Sequence, residues 1–322
     1  MIITKTPLRI SFTGGGTDIC DYYKHGHGAV VSVTIDKYIY ITVNKKFDDS
    51  IRVSYSKTEI VNNVEDLQHD IVRECLKMVG IKNGIEITSI ADVPAGTGLG
   101  SSSAFTVGLL NALFTYTGYT PSATELAEKA CEIEIDILKG PIGKQDQYAA
   151  AFGGINYFQF NKDETVDRHK IVLSASDQKK MNRKLMMFYT GITRSANSIL
   201  SEQKKETNLK LEALNFMCAQ AKKMETSLIE DGFTESIAKE LHDGWEKKKS
   251  ITSTISTGPI NDLYETAIKA GALGGKLLGA GGGGFLLFYC DEEKQQNVRD
   301  AINKWELDFN VSLYGSRVVY FE

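Results

Sequence analysis

The chain has 322 residues, 42% of them hydrophobic and 24% charged, with a formal net charge of -4. That length accommodates two cores of the usual domain size, roughly 100–200 residues each. No basic run or stripe offers a nucleic-acid backbone a footprint, and no apolar window approaches the about 20 residues of a membrane span, so neither partner is expected. The five cysteines (Cys20, Cys75, Cys131, Cys218 and Cys290) are scattered and never paired as CxxC. They exclude a disulfide framework or a zinc ribbon and fit a reducing, cytoplasmic setting. The N-terminus MIITKTPLRISF lacks a charged segment followed by a long apolar core, so it does not read as a signal peptide.

In chain order, the first 90 residues are rich in strands. LRISF, AVVSVTI, YIYITVN, IRVSYS and IEITSI carry β-branched or aromatic residues in short runs broken by Gly, Asp, Asn or Lys. YIYITVN and IRVSYS flank the polar KKFDDS and read as a hairpin, with a helix expected around VEDLQHDIVRECLKMVG. After Gly100, Phe105, Leu109, Leu110, Leu113 and Phe114 recur at helical spacing until Gly118. A second helix opens on the S-x-x-E capping box of Ser122 and Glu125 and runs to Gly140. INYFQF is a strand. LMMFYTG then starts a second section of helices (about 198–229, 234–250 and 259–271), a glycine-rich turn, the strand FLLFYC, a helix and a closing strand SRVVYFE. Without regular βα alternation this is an α+β chain. A boundary near residue 180 divides it into 1–180 and 181–322.

Three glycine clusters stand out: Gly14–Gly16, Gly96–Gly100 and Gly279–Gly284. Glycine tolerates positive φ and lets a ligand approach the backbone, as phosphate sites require. A Walker A loop is excluded because GTGLGSSS has no lysine before its hydroxyl residues. GAGGGG matches GxGxxG by letter, but its glycines precede a strand, whereas a dinucleotide fingerprint opens a helix. The middle cluster has the right context, following IEITSI and opening a helix at Ser101–Ser103, where unpaired N–H groups and the dipole favour an anion. The dipole contributes only about 0.3–1 kcal/mol per charge, so a triphosphate there calls for a divalent cation with hydroxyl and carboxylate ligands.

Glu134 offers such a carboxylate. At 100° per residue it falls among Leu126, Ala127, Ala130, Cys131, Ile133, Ile137 and Leu138, about 80° round from Leu126. A carboxylate on an apolar face is costly unless it is paired or binds a metal; the alternative is a rim glutamate in a salt bridge. Asp146, in PIGKQDQYAAAFGG, reads from its own neighbours as part of a polar loop. Arg9 stands in a strand leading to a glycine cluster, with Asp18 just beyond, a natural clamp for phosphate charge.

Together PLRISFTGGGTD, PAGTGLGSSSA, PIGKQDQYAA and KLLGAGGGGFLLFY, in this order, resemble the GHMP kinase superfamily. The first and third motifs look most like its heptose branch, the D-glycero-D-manno-heptose 7-phosphate kinases. The resemblance implies a ribosomal protein S5 domain 2-like N-terminal domain, a ferredoxin-like C-terminal domain and an active site between them. It further implies a cytoplasmic, ATP- and Mg²⁺-dependent transferase acting on the anomeric hydroxyl of a sugar phosphate. Pro94, Ala95, Gly96, Gly98, Leu99, Gly100, Ser101, Ser102 and Ser103 would form the ATP phosphate loop. Ser102 and Glu134 would hold Mg²⁺, Asp146 would be the general base, and Arg9 the basic residue that lowers the acidity constant of the attacking hydroxyl or stabilises the transferring phosphoryl. Gly15, Gly16, Thr17 and Asp18 would meet the sugar, Gly281 and Gly282 would close over it, and Lys144 and Arg194 are candidates for its phosphate. KQD replaces the apolar residues usual before the aspartate in galactokinases, which leaves the role of Lys144 open. The alternatives are a 1-kinase for unphosphorylated fucose or galactose and a non-catalytic sugar or nucleotide sensor. A sensor should have lost an acidic or metal-binding residue, and this chain retains Arg9, Ser102, Glu134 and Asp146. A homodimer is compatible with the sequence, which carries no feature that sets the assembly.

Overall fold

The computed structural model describes residues 1–192, 208–251 and 254–322. Its larger sheet is organised by strand β2 (His27–Lys45), which merges AVVSVTI and YIYITVN into one 19-residue strand. Being so long, β2 serves three partners. One side pairs antiparallel with β1 (Ile2–Thr13). On the other, its first part pairs with β6 (Ile155–Asn161) and its last part with β5 (Ile85–Ala91). The hairpin expected across KKFDDS does not form. Strand β5 pairs with β2, and β3 (Ile51–Ser54) lies parallel to β5 on the far side, itself paired with β4 (Thr58–Val61). The core-facing registers Ile51↔Ile85 and Val53↔Ile87 bury four β-branched residues, a better use of β3 than a solvated ribbon. Strand β7 (Val166–Ile171) extends the sheet beyond β6.

Between these strands come a short turn of helix, α1 (Cys20–Tyr23), and α2 (Asp70–Val79). Helix α3 (Ser101–Tyr116) crosses β1 and β2 and is buried from Ser103 to Leu113. Gly108 permits that close approach, since a Cβ there would lie 2.6 Å from Thr6 Oγ1. The capping box of Ser122 and Glu125 opens α4 (Ala123–Cys131) as expected. From Glu132 to Ile137 the helix widens to π geometry, with Leu138 N–H donating to the Ile133 carbonyl at 2.9 Å. Such bulges often mark functional sites. The loop expected around Asp146 is instead the first turn of helix α5 (Gln145–Phe152), because Tyr148 and Ala149–Ala151 supply a buried face.

Helix α6 (Ala175–Lys184) leads into the second sheet, ordered β8 (Leu185–Tyr189), β10 (Phe285–Cys290), β9 (Ala272–Leu277), all antiparallel. Helices α7 (Asn208–Glu230), α8 (Ser236–Lys249) and α9 (Gly258–Ala270) precede β9, and α10 (Glu292–Ile302) follows β10. A bridge between Phe188 and Glu306 stands where a fourth strand would complete the βαββαβ order of a ferredoxin-like unit. This sheet has its own core around Phe188, Trp245, Tyr264 and Phe288. The closing strand β11 (Arg317–Phe321) returns to the first sheet and pairs with β1. Among the described residues no helix is long and apolar enough to cross a membrane.

Candidate active site

The three glycine clusters converge on one cavity of about 710 Å³, a volume typical of small-molecule sites. Gly96, Gly98 and Gly100 all have positive φ (79°, 84° and 74°), so the loop before α3 curls into a shape open to few other residues. The turn before β10 packs directly on it. A Cβ on Gly98 would lie 2.6 Å from the Leu278 carbonyl oxygen, and one on Gly284 would lie 2.3 Å from that of Thr97. Backbone therefore touches backbone, and the first turn of α3 (Ser101–Ser103) faces the enclosed space. Its N–H groups have no acceptor within the helix.

Ser102 reaches across to the π-helical segment and donates to Glu134 Oε1 at 2.8 Å. Gln147 Nε2 donates to the other carboxylate oxygen at 2.8 Å. Glu134 is only 4% exposed, and burial pushes its carboxyl above the ordinary range, with Ser102, Gln147 and Ser103 pulling it back. A hydroxyl and a carboxylate oxygen side by side are hard oxygen donors that suit Mg²⁺. Among the described residues no group of three His, Cys, Asp or Glu could hold a metal.

Across the loop, Arg9 grips Asp146 with two parallel bonds, Nε to Oδ1 at 2.7 Å and Nη2 to Oδ2 at 2.8 Å. Its third group, Nη1, donates to the Gly98 carbonyl at 2.7 Å, tying strand β1, helix α5 and the glycine loop together. Asp18 lies deeper and accepts N–H bonds from Gly16 at 2.9 Å and Gln145 at 3.2 Å. Burial raises its carboxyl first, and the neighbouring charge of Asp146 adds to the effect.

Two family models match the chain, GHMP kinases N terminal domain over residues 66–154 and GHMP kinases C terminal over 226–306. The chain belongs to the GHMP kinase family. Over 94% of its length it is 33% identical to D-glycero-alpha-D-manno-heptose 7-phosphate kinase of Campylobacter jejuni, of which it covers 93%. It is 28% identical to L-fucokinase/L-fucose-1-P guanylyltransferase of Bacteroides fragilis, covering 35% of that protein with 92% of this chain. The crystal structure of a D-glycero-D-manno-heptose 1-phosphate kinase from Bacteroides thetaiotaomicron superposes with a TM-score of 0.83 at 25% identity, both chains covered fully. The α+β architecture is thus the two-domain GHMP kinase fold. The protein is a phosphotransferase with an alcohol group as acceptor, and ATP is the phosphate donor of this family.

In this GHMP kinase the cavity collects most residues singled out from the sequence: Arg9, Gly15, Gly16, Asp18, Ala95, Gly96, Gly98, Gly100, Ser101, Ser102, Ser103, Glu134, Asp146 and Gly281. Others stand behind its wall. Leu99 is fully buried and offers only its carbonyl, to Arg9 N–H, while the Pro94 carbonyl caps the Thr97 hydroxyl. Thr17 spends its hydroxyl on the Gly14 and Ala29 carbonyls, and Gly282 N–H anchors the turn to Ile255. Lys144, expected at a substrate phosphate, does not line the cavity. Its ammonium pairs with Glu164 and sits 5.1 Å from the Tyr23 ring centroid. Arg194 lies outside the described residues.

Two lysines were missed. Lys248 and Lys276 both line the cavity and both are buried. Lys276 donates to the Ser11 and Phe12 carbonyls at 2.8 and 2.9 Å, bracing β1. Burial, then the charges of Lys248 and Arg9, drive its ammonium well below its ordinary value. A lysine inside the otherwise apolar strand GGKLL was the available signal. Lys248 had none, being the middle one of three consecutive lysines.

Proposed function

We propose that this chain is an ATP-dependent sugar 1-kinase that phosphorylates the anomeric hydroxyl of D-glycero-D-manno-heptose 7-phosphate. The product would be the 1,7-bisphosphate, for supply of nucleotide-activated heptose to surface polysaccharide. The likeness to the heptose 7-phosphate kinase over nearly both full lengths supports the substrate. The observation that carries the chemistry is the bidentate Arg9–Asp146 pair, set in one cavity with Asp18 and the glycine loop.

In this reading Asp18, fixed by two backbone N–H groups, orients sugar hydroxyls. The acceptor oxygen attacks the γ-phosphorus, the bond from that phosphorus to the bridging oxygen of ADP breaks, and the acceptor proton passes to Asp146. Asp146 retains free lone pairs while bonded to Arg9. Arg9 offsets charge on the transferring group, and the N–H groups at Ser101–Ser103 hold the flanking phosphate oxygens. Ser102 and Glu134 would hold Mg²⁺, which when bound neutralises triphosphate oxygens. The division into lobes 1–180 and 181–322 belongs to the same proposal. It is supported by the core that the second sheet forms around Phe288, and it is crossed by the first core, which takes in Met187, Phe285 and Leu287, and by β11, which returns to the first sheet.

The second reading, a 1-kinase for unphosphorylated fucose or galactose, is favoured by the fucokinase likeness and by Lys144 being engaged away from the cavity. ADP release with heptose, heptose 7-phosphate, fucose and galactose, with the product's phosphorylation site read by ³¹P NMR, decides between them. Heptose 7-phosphate should give the highest kcat/KM. A higher value for fucose or galactose replaces the first reading with the second.

A further inference from the structure

We infer that Lys248 is a catalytic residue of this kinase: its ammonium, supplied by the second half of the chain, binds the transferring γ-phosphoryl group together with Arg9. The inference rests on the kinase reading and not on which sugar is the acceptor.

Three lysines in a row end helix α8, and their surroundings differ. Lys247 and Lys249 reach outward to Glu212 and Glu246 at 3.6 and 2.7 Å. Lys248 turns inward, is 6% exposed and lines the cavity. No carboxylate among the described residues forms an ion pair with it, and its hydrogen bond goes to the Gly279 carbonyl at 2.5 Å. An ammonium carries three donors, and among the described residues only one of them is taken up, by Gly279. A buried cation outside any ion pair is costly; the charges of Asp18 and Asp146 offset the effect of burial only in part, and a substrate anion would offset more of it.

Its position selects the anion. Gly279 packs on the nucleotide loop so closely that a Cβ there would lie 2.5 Å from Gly98 Cα. The Gly98 carbonyl in turn accepts from Arg9 Nη1. Lys248 and Arg9 therefore both reach the contact between the two glycine turns, in the cavity that also holds the α3 N-terminus and Asp146. That cavity is where the phosphoryl group crosses from ADP to the acceptor. Helix α8 is held there by direct contact with β9, since a Cβ on Gly274 would lie 2.0 Å from the Ala238 carbonyl oxygen. With the anion bound Lys248 is the charged ammonium, and it passes no proton to the reacting groups. It donates hydrogen bonds to equatorial oxygens of the group in transfer, as cations do in phosphoryl transfer.

The test compares Lys248→Met and Lys248→Arg with the wild type, each shown to fold by its thermal midpoint. ADP and the non-hydrolysable ATP analogue AMP-PNP, both with Mg²⁺, are titrated calorimetrically without sugar. In Lys248→Met the AMP-PNP Kd should rise about 10–100-fold, the worth of one charged hydrogen bond, while the ADP Kd stays put. Its kcat on the wild-type enzyme's best acceptor should fall about 10²–10³-fold, with Lys248→Arg recovering part of both. Equal loss of ADP and AMP-PNP affinity overturns the inference and makes Lys248 only an anchor of the glycine turn. Unchanged nucleotide affinities with a raised KM for a phosphorylated acceptor also overturn it and give Lys248 to the acceptor's own phosphate. Because the titrations contain no sugar, failure of the heptose reading leaves them intact.

Discussion

The two halves of the chain bring their charges to the cavity differently, one with partners and one without ion pairs. In the first 150 residues every charged group of the site has a partner: Arg9 with Asp146, Glu134 with Ser102 and Gln147, Asp18 with two backbone N–H groups. In the second half, Lys248 and Lys276 are buried ammonium groups whose hydrogen bonds, among the described residues, go to carbonyl oxygens and whose charges form no ion pair. The first arrangement is already assembled for chemistry. The second is a reservoir of positive charge that an incoming polyanion would complete. Preorganised partners lower the cost of reaction, whereas unpaired buried cations convert their burial cost into affinity once an anion arrives.

Breaking the first arrangement should have the largest effect. Asp146→Asn keeps the shape and removes the proton acceptor, so kcat should fall about 10²–10⁴-fold in steady-state assays while AMP-PNP affinity persists. Near-normal turnover would deprive Asp146 of the base role. Glu134→Gln comes next. It retains a hydrogen-bonding partner for Ser102 but not the anionic ligand, and the Mg²⁺ concentration for half-maximal activity should rise about 10–100-fold. An unchanged Mg²⁺ titration would mean that the metal is held elsewhere.

The second arrangement is sharpened by pH. Burial, then the charge of Arg9, lowers the Lys248 ammonium to about 8, with Asp18 and Asp146 opposing; Lys276 is the remaining cation facing it. Below that pH the cation is present, and above it the neutral amine loses its hold on phosphate. AMP-PNP affinity should therefore decline as pH rises through about 8. A bound anion favours the charged form, so binding near that pH should take up a proton, read from calorimetry in buffers of different ionisation enthalpy. Lys248→Met should abolish the uptake. The smallest effect belongs to Lys144. Its pair with the half-exposed Glu164 is of the kind worth about 0–1 kcal/mol, so Lys144→Met should leave sugar KM within about twofold. A larger rise would return Lys144 to substrate binding.

Glu134 was visible in the sequence because a carboxylate on an apolar helical face breaks a local rule, although the π widening that carries it was not. Asp146 gave no such signal, since its polar neighbours Lys144, Gln145 and Gln147 hid the buried alanine face of α5. The spurious hairpin across KKFDDS came from treating chain neighbours as sheet neighbours, when β2 pairs instead with the distant β5. Lys248 could not be found at all. Three adjacent lysines on a helix point in three directions about 100° apart, and only the contact of α8 with β9 decides which one turns inward.

By itself, then, the sequence determined what acts over a few residues: the capping box at Ser122, the positive-φ glycines before α3, strand alternation and the misplaced Glu134. Short-range sterics and hydrogen bonds set these. The tertiary structure alone decided which charges meet. Arg9 and Asp146 are 137 residues apart, and Lys276 reaches Ser11 across 265. Such pairs depend on sheet register and on how closely glycine lets two loops approach, and neither is written in any local pattern.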